Sequence, residues 1–268
     1  MRESILIVGG GFGQVPAILS AKDLGLKVVV VDKNPDAVGM KIADYSYAVD
    51  IIDKEGVLEI AKKHKVKGAM TMQSDLPVPT IGFINDRLGL KGVNFETAQV
   101  CSNKNLTRQK LKDKNAAQPI FEIVKNLVEA EATAKKIGFP CVVKAPDSSG
   151  SRGITKISKI EEVTDAYNES LKYARQNAII IEEFIEGIEF GAQTFSVDGK
   201  CELVLLHNDT MSHPPYMIPI GHSFPFVMLN EEESKQAIAD IKNAVEAVGI
   251  ENGPANIDLI LDVNTKRV

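Results

Sequence analysis

The chain has 268 residues, 44% of them hydrophobic and 25% charged, with a formal net charge of -5. That length suits two or three small domains, the balance is that of an ordinary globular protein, and an acidic chain with no basic block excludes nucleic acid as the main partner. No apolar run reaches the ~18 residues of a membrane span, the start MRESILIVGGG lacks the basic flank and cleavage site of a signal peptide, and the scattered Cys101, Cys141 and Cys201 read as structural thiols of a reducing cytoplasm.

The first hundred residues alternate strand and helix. SILIVGG reads as a buried strand, VPAILSAKDLG as a helix ended by Gly25, and LKVVVVD as a second strand. YSYAVD, the helix KEGVLEIAKKHK and the strand VKGAMTM follow. Short connections between such elements predict a parallel sheet covered on both faces, with ligands at the carboxyl ends of its strands.

Residues 103–118 are expected to form a helix and linker, capped by Ser102 or Asn103 and stopped before Pro119. A strand over 119–124, a helix over 128–137, a strand ending on Lys144, a strand over 154–158 and a helix over 160–176 predict a small α+β unit. Long alternating strands, NAIIIEEFIEGIEFGAQTFSV and CELVLLHNDTM, meet at VDGK, where Asp198-Gly199 signals a hairpin. A proline-rich loop, GHSFPFVML, a helix over 231–248 and the strand ANIDLILDV complete the chain.

Two segments compete for a nucleotide. In ILIVGGGFG the third glycine of a dinucleotide fingerprint is missing, because Gln14 or Pro16 stands there, although Asp32 sits where a ribose-binding acid would. That pattern is read as a Rossmann-like scaffold, with an NAD(P)-dependent oxidoreductase as the rival. In FPCVVKAPDSSGSRGI a strand ends on Lys144 and opens into a loop of small residues and Arg152, as a polyphosphate requires. EEFIEGIE has the form of a hinge between two lobes, and Asp258 inside NIDLIL is an acid that needs a partner there, such as magnesium.

In their order, the lysine-bearing helix, VVKAPDSSGSRGI, IEEFIEGIE and GPANIDLIL resemble the ATP-grasp superfamily, over nearly the whole chain. The resemblance implies an α/β protein: a Rossmann-like pre-ATP-grasp domain (1–102), a helix and linker (103–118), and an ATP-grasp domain of a small lobe (119–185) and an incomplete large lobe (186–268). It also implies that Lys104 and Lys144 contact the phosphates of ATP. Ser148, Ser149, Gly150, Ser151, Arg152 and Gly153 would form a flap, Arg152 helping to neutralise charge during transfer. Glu183, Phe184 and Ile185 would form the adenine hinge, the backbones of Glu183 and Ile185 reading the base edge. Glu182 would lie near the adenine amino group, Glu189 would hold the ribose, and Asp258 would bind Mg2+ or Mn2+. Asn256 resembles the asparagine of carbamoyl phosphate synthases, and the G-H-x-x-P segment at His222 resembles one in amino-acid ligases of the group. His222 would then orient a substrate carboxylate or phosphate, with His213 as a weaker candidate.

The reaction so implied joins a small carboxylate to an amine. Phosphoryl transfer from ATP makes an acyl phosphate, a good electrophile that the amine attacks, with ADP and phosphate released. A nucleotide-binding chain without turnover is the other alternative. The polar Asn264-Thr265-Lys266 reads as a hairpin turn. The return strand that would bring the remaining metal ligands in this superfamily is absent. The expectation is therefore a truncated chain or half of a split enzyme, the open edge taken by a second copy or by the missing segment.

Overall fold

The structure, a computed structural model, describes residues 2–146, 153–174, 178–212 and 219–268. By its internal contacts the chain divides into two compact units, Met1–Ser102 with Ile250–Gly253, and Asn103–Gly249 with Pro254–Val268.

The first unit is built on β1 (Ser4–Val8), α1 (Val15–Asp23), β2 (Lys27–Asp32), α2 (Val38–Ile42), β3 (Tyr45–Ala48), α3 (Lys54–His64), β4 (Gly68–Met70), α4 (Val78–Leu88) and α5 (Phe95–Cys101). Its strands pair in parallel in the order β3-β2-β1-β4. Alternate residues of the two central strands feed two cores. Leu6, Val8, Val29 and Val31 pack with Val57, Ala61, Ile81 and Ile84 of α3 and α4, while Ile7, Val28 and Val30 pack with Ala17, Ile18 and Met40 of α1 and α2. The unbroken apolar run VVVV follows from that burial on both faces. Three helices, α2, α4 and α5, were not anticipated from the sequence.

The second unit contains α6 (Lys104–Asp113), β5 (Phe121–Val124), α7 (Leu127–Ile137), β6 (Cys141–Lys144), β7 (Ile154–Ile157), α8 (Val163–Leu171), β8 (Ile179–Glu183), β9 (Gly187–Val197), β10 (Lys200–Met211), β11 (Pro219–Ser223), α9 (Glu231–Val248) and β12 (Gly253–Asp262). Among the described residues these strands form two sheets, β5-β8-β6-β7 and β11-β10-β9-β12. The helix expected over 160–176 is shorter: Ile160–Glu162 is a single 3-10 turn and α8 begins at Val163.

In the smaller sheet Cys141, Val143, Ile157, Ile179 and Ile181 point to one face and pack on α7 and α8. Because strand side chains alternate, Val142, Lys144, Lys156, Ile180 and Glu182 occupy the other. The larger sheet is two-faced in the same way. Phe190, Leu206, Leu259 and Leu261 lie with Phe226 on the apolar face, where the Phe190 and Phe226 rings stack with centroids 4.2 Å apart. The β9–β10 hairpin turns at Asp198 and Gly199, both at positive φ (47° and 84°), as a tight primed turn requires. Its register shifts between Cys201 and Leu203, a bulge after which Leu203 faces Phe195 and His207 faces Gly191.

Candidate functional site

The N-terminal glycine turn is closed by its own side chains. The Gly10 N–H donates to Asp32 Oδ2 (2.8 Å) and the Gly11 N–H to Gln14 Oε1 (2.9 Å). These are the groups a pyrophosphate would use, and Asp32 is turned toward the glycines. Gln14 also donates to the Met72 carbonyl, so the residue standing in place of the third glycine braces the turn.

The second unit gathers the central candidates. Lys144 and Glu182 come from adjacent strands, and their alternation places both on the face away from the α7–α8 core. They form an ion pair, with only 9% and 7% of each residue exposed. Arg108 of α6 reaches the other carboxylate oxygen, Nη2 to Oε2, at 3.0 Å. Burial holds the Lys144 ammonium below the ordinary lysine value; Glu182 opposes that shift, and the charges of Arg108 and Lys104 reinforce it. Three cationic side chains thus share the neighbourhood of one carboxylate. Arg108 escaped the sequence reading, because a basic helix face ordinarily reads as solvated surface.

Lys104 is placed by local structure. Asn103 caps α6, its side chain accepting from the N–H groups of Asn105 and Leu106, and the Lys104 N–H donates to the Pro146 carbonyl. That bond ties the start of the helix to the segment leaving β6. Ser148, Ser149, Gly150, Ser151 and Arg152 lie outside the described residues, as does His213. Of the expected flap residues, Gly153 is among those described: its carbonyl accepts from the Ala145 N–H and the Ser170 hydroxyl, both at 3.0 Å, and at a φ of +66° it lies beside Tyr173.

β8 ends at Glu183 and β9 begins at Gly187, so Phe184, Ile185 and Glu186 connect the two sheets. The Glu183 N–H donates to Ile120 O (2.9 Å), the Glu183 carboxylate accepts from the Ile120 N–H (2.8 Å), and the Phe184 N–H donates to Pro140 O (3.3 Å). Lys156 Nζ sits 3.5 Å from the Phe184 ring centroid. A cleft of about 350 Å3 opens here, lined by Pro140, Lys156, Glu183, Phe184, Ile185 and Asp262 among others.

A file of polar side chains crosses the other face of the larger sheet. Asn256 Nδ2 donates to Asp258 Oδ1 (3.3 Å), and Gln193 Nε2 donates to Asn256 Oδ1 (2.5 Å) and lies 3.5 Å from His207 Nε2. His207 Nδ1 and His222 Nδ1 are 2.8 Å and 2.7 Å from the same oxygen, Asp209 Oδ1. Glu189 is two pairs along β9 from Gln193 and shares this face by alternation. Asp258, expected to need a partner, is exposed and accepts from Asn256. Gln193, His207 and Asp209 were not recognised in the sequence, since cross-strand register alone brings them together. Gly191 makes the arrangement possible, because a Cβ there would run into the His207 ring.

A lysine-bearing antiparallel sheet is thus joined through residues 184–186 to a second sheet that carries an acid on the chain's last strand. The ATP-grasp domain family matches residues 137–267. Over those residues the chain belongs to the ATP-grasp domain family. It is 31% identical over 194 residues to a formate-dependent phosphoribosylglycinamide formyltransferase of Prochlorococcus marinus, covering 68% of this chain and 48% of that one. Over 216 residues it is 24% identical to the carbamoyl phosphate synthase large chain of Thermoanaerobacter pseudethanolicus, covering 75% and 20% of the two. A solved structure of phosphoribosylglycinamide synthetase from Anaerococcus prevotii superimposes with a TM-score of 0.81 at 29% identity, covering 100% of this chain and 69% of that one. The chain spans about half the length of the formyltransferases it matches.

Proposed function

We propose that the chain carries the nucleotide site of an ATP-dependent carboxylate–amine ligase that works through an acyl phosphate and releases ADP and phosphate. The observation that carries this reading is the buried cluster of Lys144, Glu182 and Arg108 with Lys104 beside it. Cations held in a partly dry site attract phosphate oxygens more strongly than they would in water. In this reading Lys104, Lys144 and Arg108 neutralise the polyphosphate, and Glu182 accepts from the adenine amino group. The base lies against Phe184. Because the Glu183 N–H already serves Ile120, that residue meets the base edge through its carbonyl and Ile185 through its N–H. Glu189 holds the ribose hydroxyls.

Asp258 offers a hard cation an exposed carboxylate on β12, of the kind suited to magnesium or manganese that also binds phosphates, while the Asn256 oxygen is engaged by Gln193. Bound there, the metal would supply charge neutralisation at the transferring phosphate. The chain's own residues would position the reactants and hold charge at fixed places, which is most of what phosphoryl transfer asks of a protein. His222 stands on the acceptor side, on the same sheet face as Asp258.

Calorimetric titration of the chain with ATP–Mg tests the reading. Saturable binding is expected, and Lys144→Ala should weaken it by about 10- to 150-fold, the worth of a charge-assisted contact of about 1.5–3 kcal/mol. Equal affinity in the parent and the variant would place the nucleotide elsewhere.

A further inference from the structure

The polar file on the larger sheet has a direction fixed at both ends by carboxylates, which only accept hydrogen bonds when ionised. At one end Asp258 requires the Asn256 amide to present its NH2, so the Asn256 oxygen faces Gln193. Gln193 must then donate, and its NH2 also faces His207 Nε2, which is therefore the bare nitrogen of that ring. From the other end Asp209 requires a hydrogen on His207 Nδ1, which gives the same tautomer. Two independent constraints agree on a hydrogen at Nδ1 and a bare Nε2, and the His207 ring is held in one orientation, 1% exposed. The same oxygen of Asp209 faces His222 Nδ1 at 2.7 Å, so that nitrogen also carries a hydrogen. The His207 ring meets the His222 ring edge-on, with centroids 4.7 Å apart and planes at 80°. His222 is thus oriented by a carboxylate and backed by a second ring, and its side chain remains 50% exposed.

We propose that Asp209 and His207 are positioning residues that lock His222 as the Nδ1–H tautomer and present its bare Nε2 to the amine substrate; this rests on the ligase reading above. In the second half-reaction the amine nitrogen bonds to the acyl-phosphate carbon. The carbon–oxygen bond to phosphate breaks with its electron pair on the phosphate, and an N–H proton passes to His222 Nε2. Asp209, 7% exposed at its side chain, faces the imidazolium so formed. Two imidazoles and a carboxylate are also a possible metal-ligand set. Their N···O separations of 2.7 and 2.8 Å argue for hydrogen bonds. Ligands around a tetrahedral zinc, with bonds of about 2.0–2.1 Å, would lie about 3.3 Å apart.

Long-range proton–nitrogen correlation spectra of the full chain labelled with 15N-histidine read the tautomers directly. The chain has 4 histidines, assignable by single His→Gln variants. His222 and His207 are expected to show protonated Nδ1 and bare Nε2. In Asp209→Ala the His222 signals should shift to the Nε2–H pattern that an unconstrained histidine side chain prefers. Should that variant fail to fold, Asp209→Leu serves instead: it is closer to Asp209 in volume and takes the accepting oxygen away from both rings. A parent His222 already in the Nε2–H form, or one unmoved by both variants, overturns the proposal. So does stoichiometric binding of added Zn2+ that shifts both Nδ1 signals. If the tautomers are as expected but ATP–Mg does not bind, the positioning stands and the amine role falls with the ligase reading.

Discussion

Glu182→Gln is the most informative single change in the small sheet. Glu182 bonds to Lys144 through one oxygen and to Arg108 through the other, so removing its charge strands two cations at once. Their side chains are 11% and 19% exposed, and breaking a buried pair from one side costs about 3–5 kcal/mol. Arg108 reaches water more easily than Lys144, which places the expected loss near the lower bound, about 3 kcal/mol. Urea unfolding of the full chain near neutral pH, with Lys144→Met/Glu182→Gln in parallel, measures it. The double variant removes the stranded ammonium and should recover most of the loss. The pH dependence has a definite sign. Folded Lys144 lies below its ordinary value, so the unfolded chain binds more protons between the two values and stability rises with pH there. Glu182→Gln removes the charge that opposes the shift, lowers the folded value further and widens that window downward, so the variant's deficit should shrink in alkali. A loss under about 1 kcal/mol, the scale of an exposed pair, would refute the buried cluster.

Gly191→Ala should destabilise the second unit by about 1–3 kcal/mol in thermal unfolding, because the new methyl must displace the buried His207 ring. NADH is expected to show no saturable binding by fluorescence titration, since Asp32 and Gln14 occupy the N–H groups of the glycine turn; micromolar binding lost in Gly11→Val would overturn that. Asn230→Ala removes the side chain that accepts from the Glu233 N–H in the capping box of α9 and should cost about 1 kcal/mol in urea unfolding.

Some elements were legible because the sequence states both of their ends. The helix expected over 231–248 coincides with α9, where Asn230 and Glu233 form the start signal and Gly249 adopts the left-handed stop at φ 89°. The hairpin at Asp198-Gly199 and the turn near Asn264 were likewise written locally; in the latter the Lys266 N–H donates to Asp262 O and the Asp262 N–H to Arg267 O. α4 was hidden by Pro77, Pro79 and Gly82, which read as punctuation. Here a proline stands in the first turn, and Gly82 lets the helix approach Asn94 and Ala98 more closely than a side chain would permit. In the site, Lys144 and Glu182 were visible as a strand end and a hinge. Their bonding to one another, and to Arg108 across 74 residues of chain, depends on which strands become neighbours. That Asp258 stands exposed inside an apolar stretch follows from alternation, because its immediate neighbours in sequence face the opposite side of the sheet.

The bulge in β10 makes the chain's tolerance of deletions uneven. Before it Cys201 pairs with Ser196; had that register continued, His207 would oppose the buried Phe190 instead of Gly191. The exposed Glu202 is therefore a spare residue in the ladder. A gene lacking its codon would still deliver His207 and Asp209 to the same side, on a straighter strand. Loss of Val204, two positions further on, can be absorbed as well, but only by closing the bulge, which draws Glu202 opposite Phe195 and Leu203 opposite Thr194. A second loss on the same strand would find no spare residue left and would turn His207 and Asp209 toward the core.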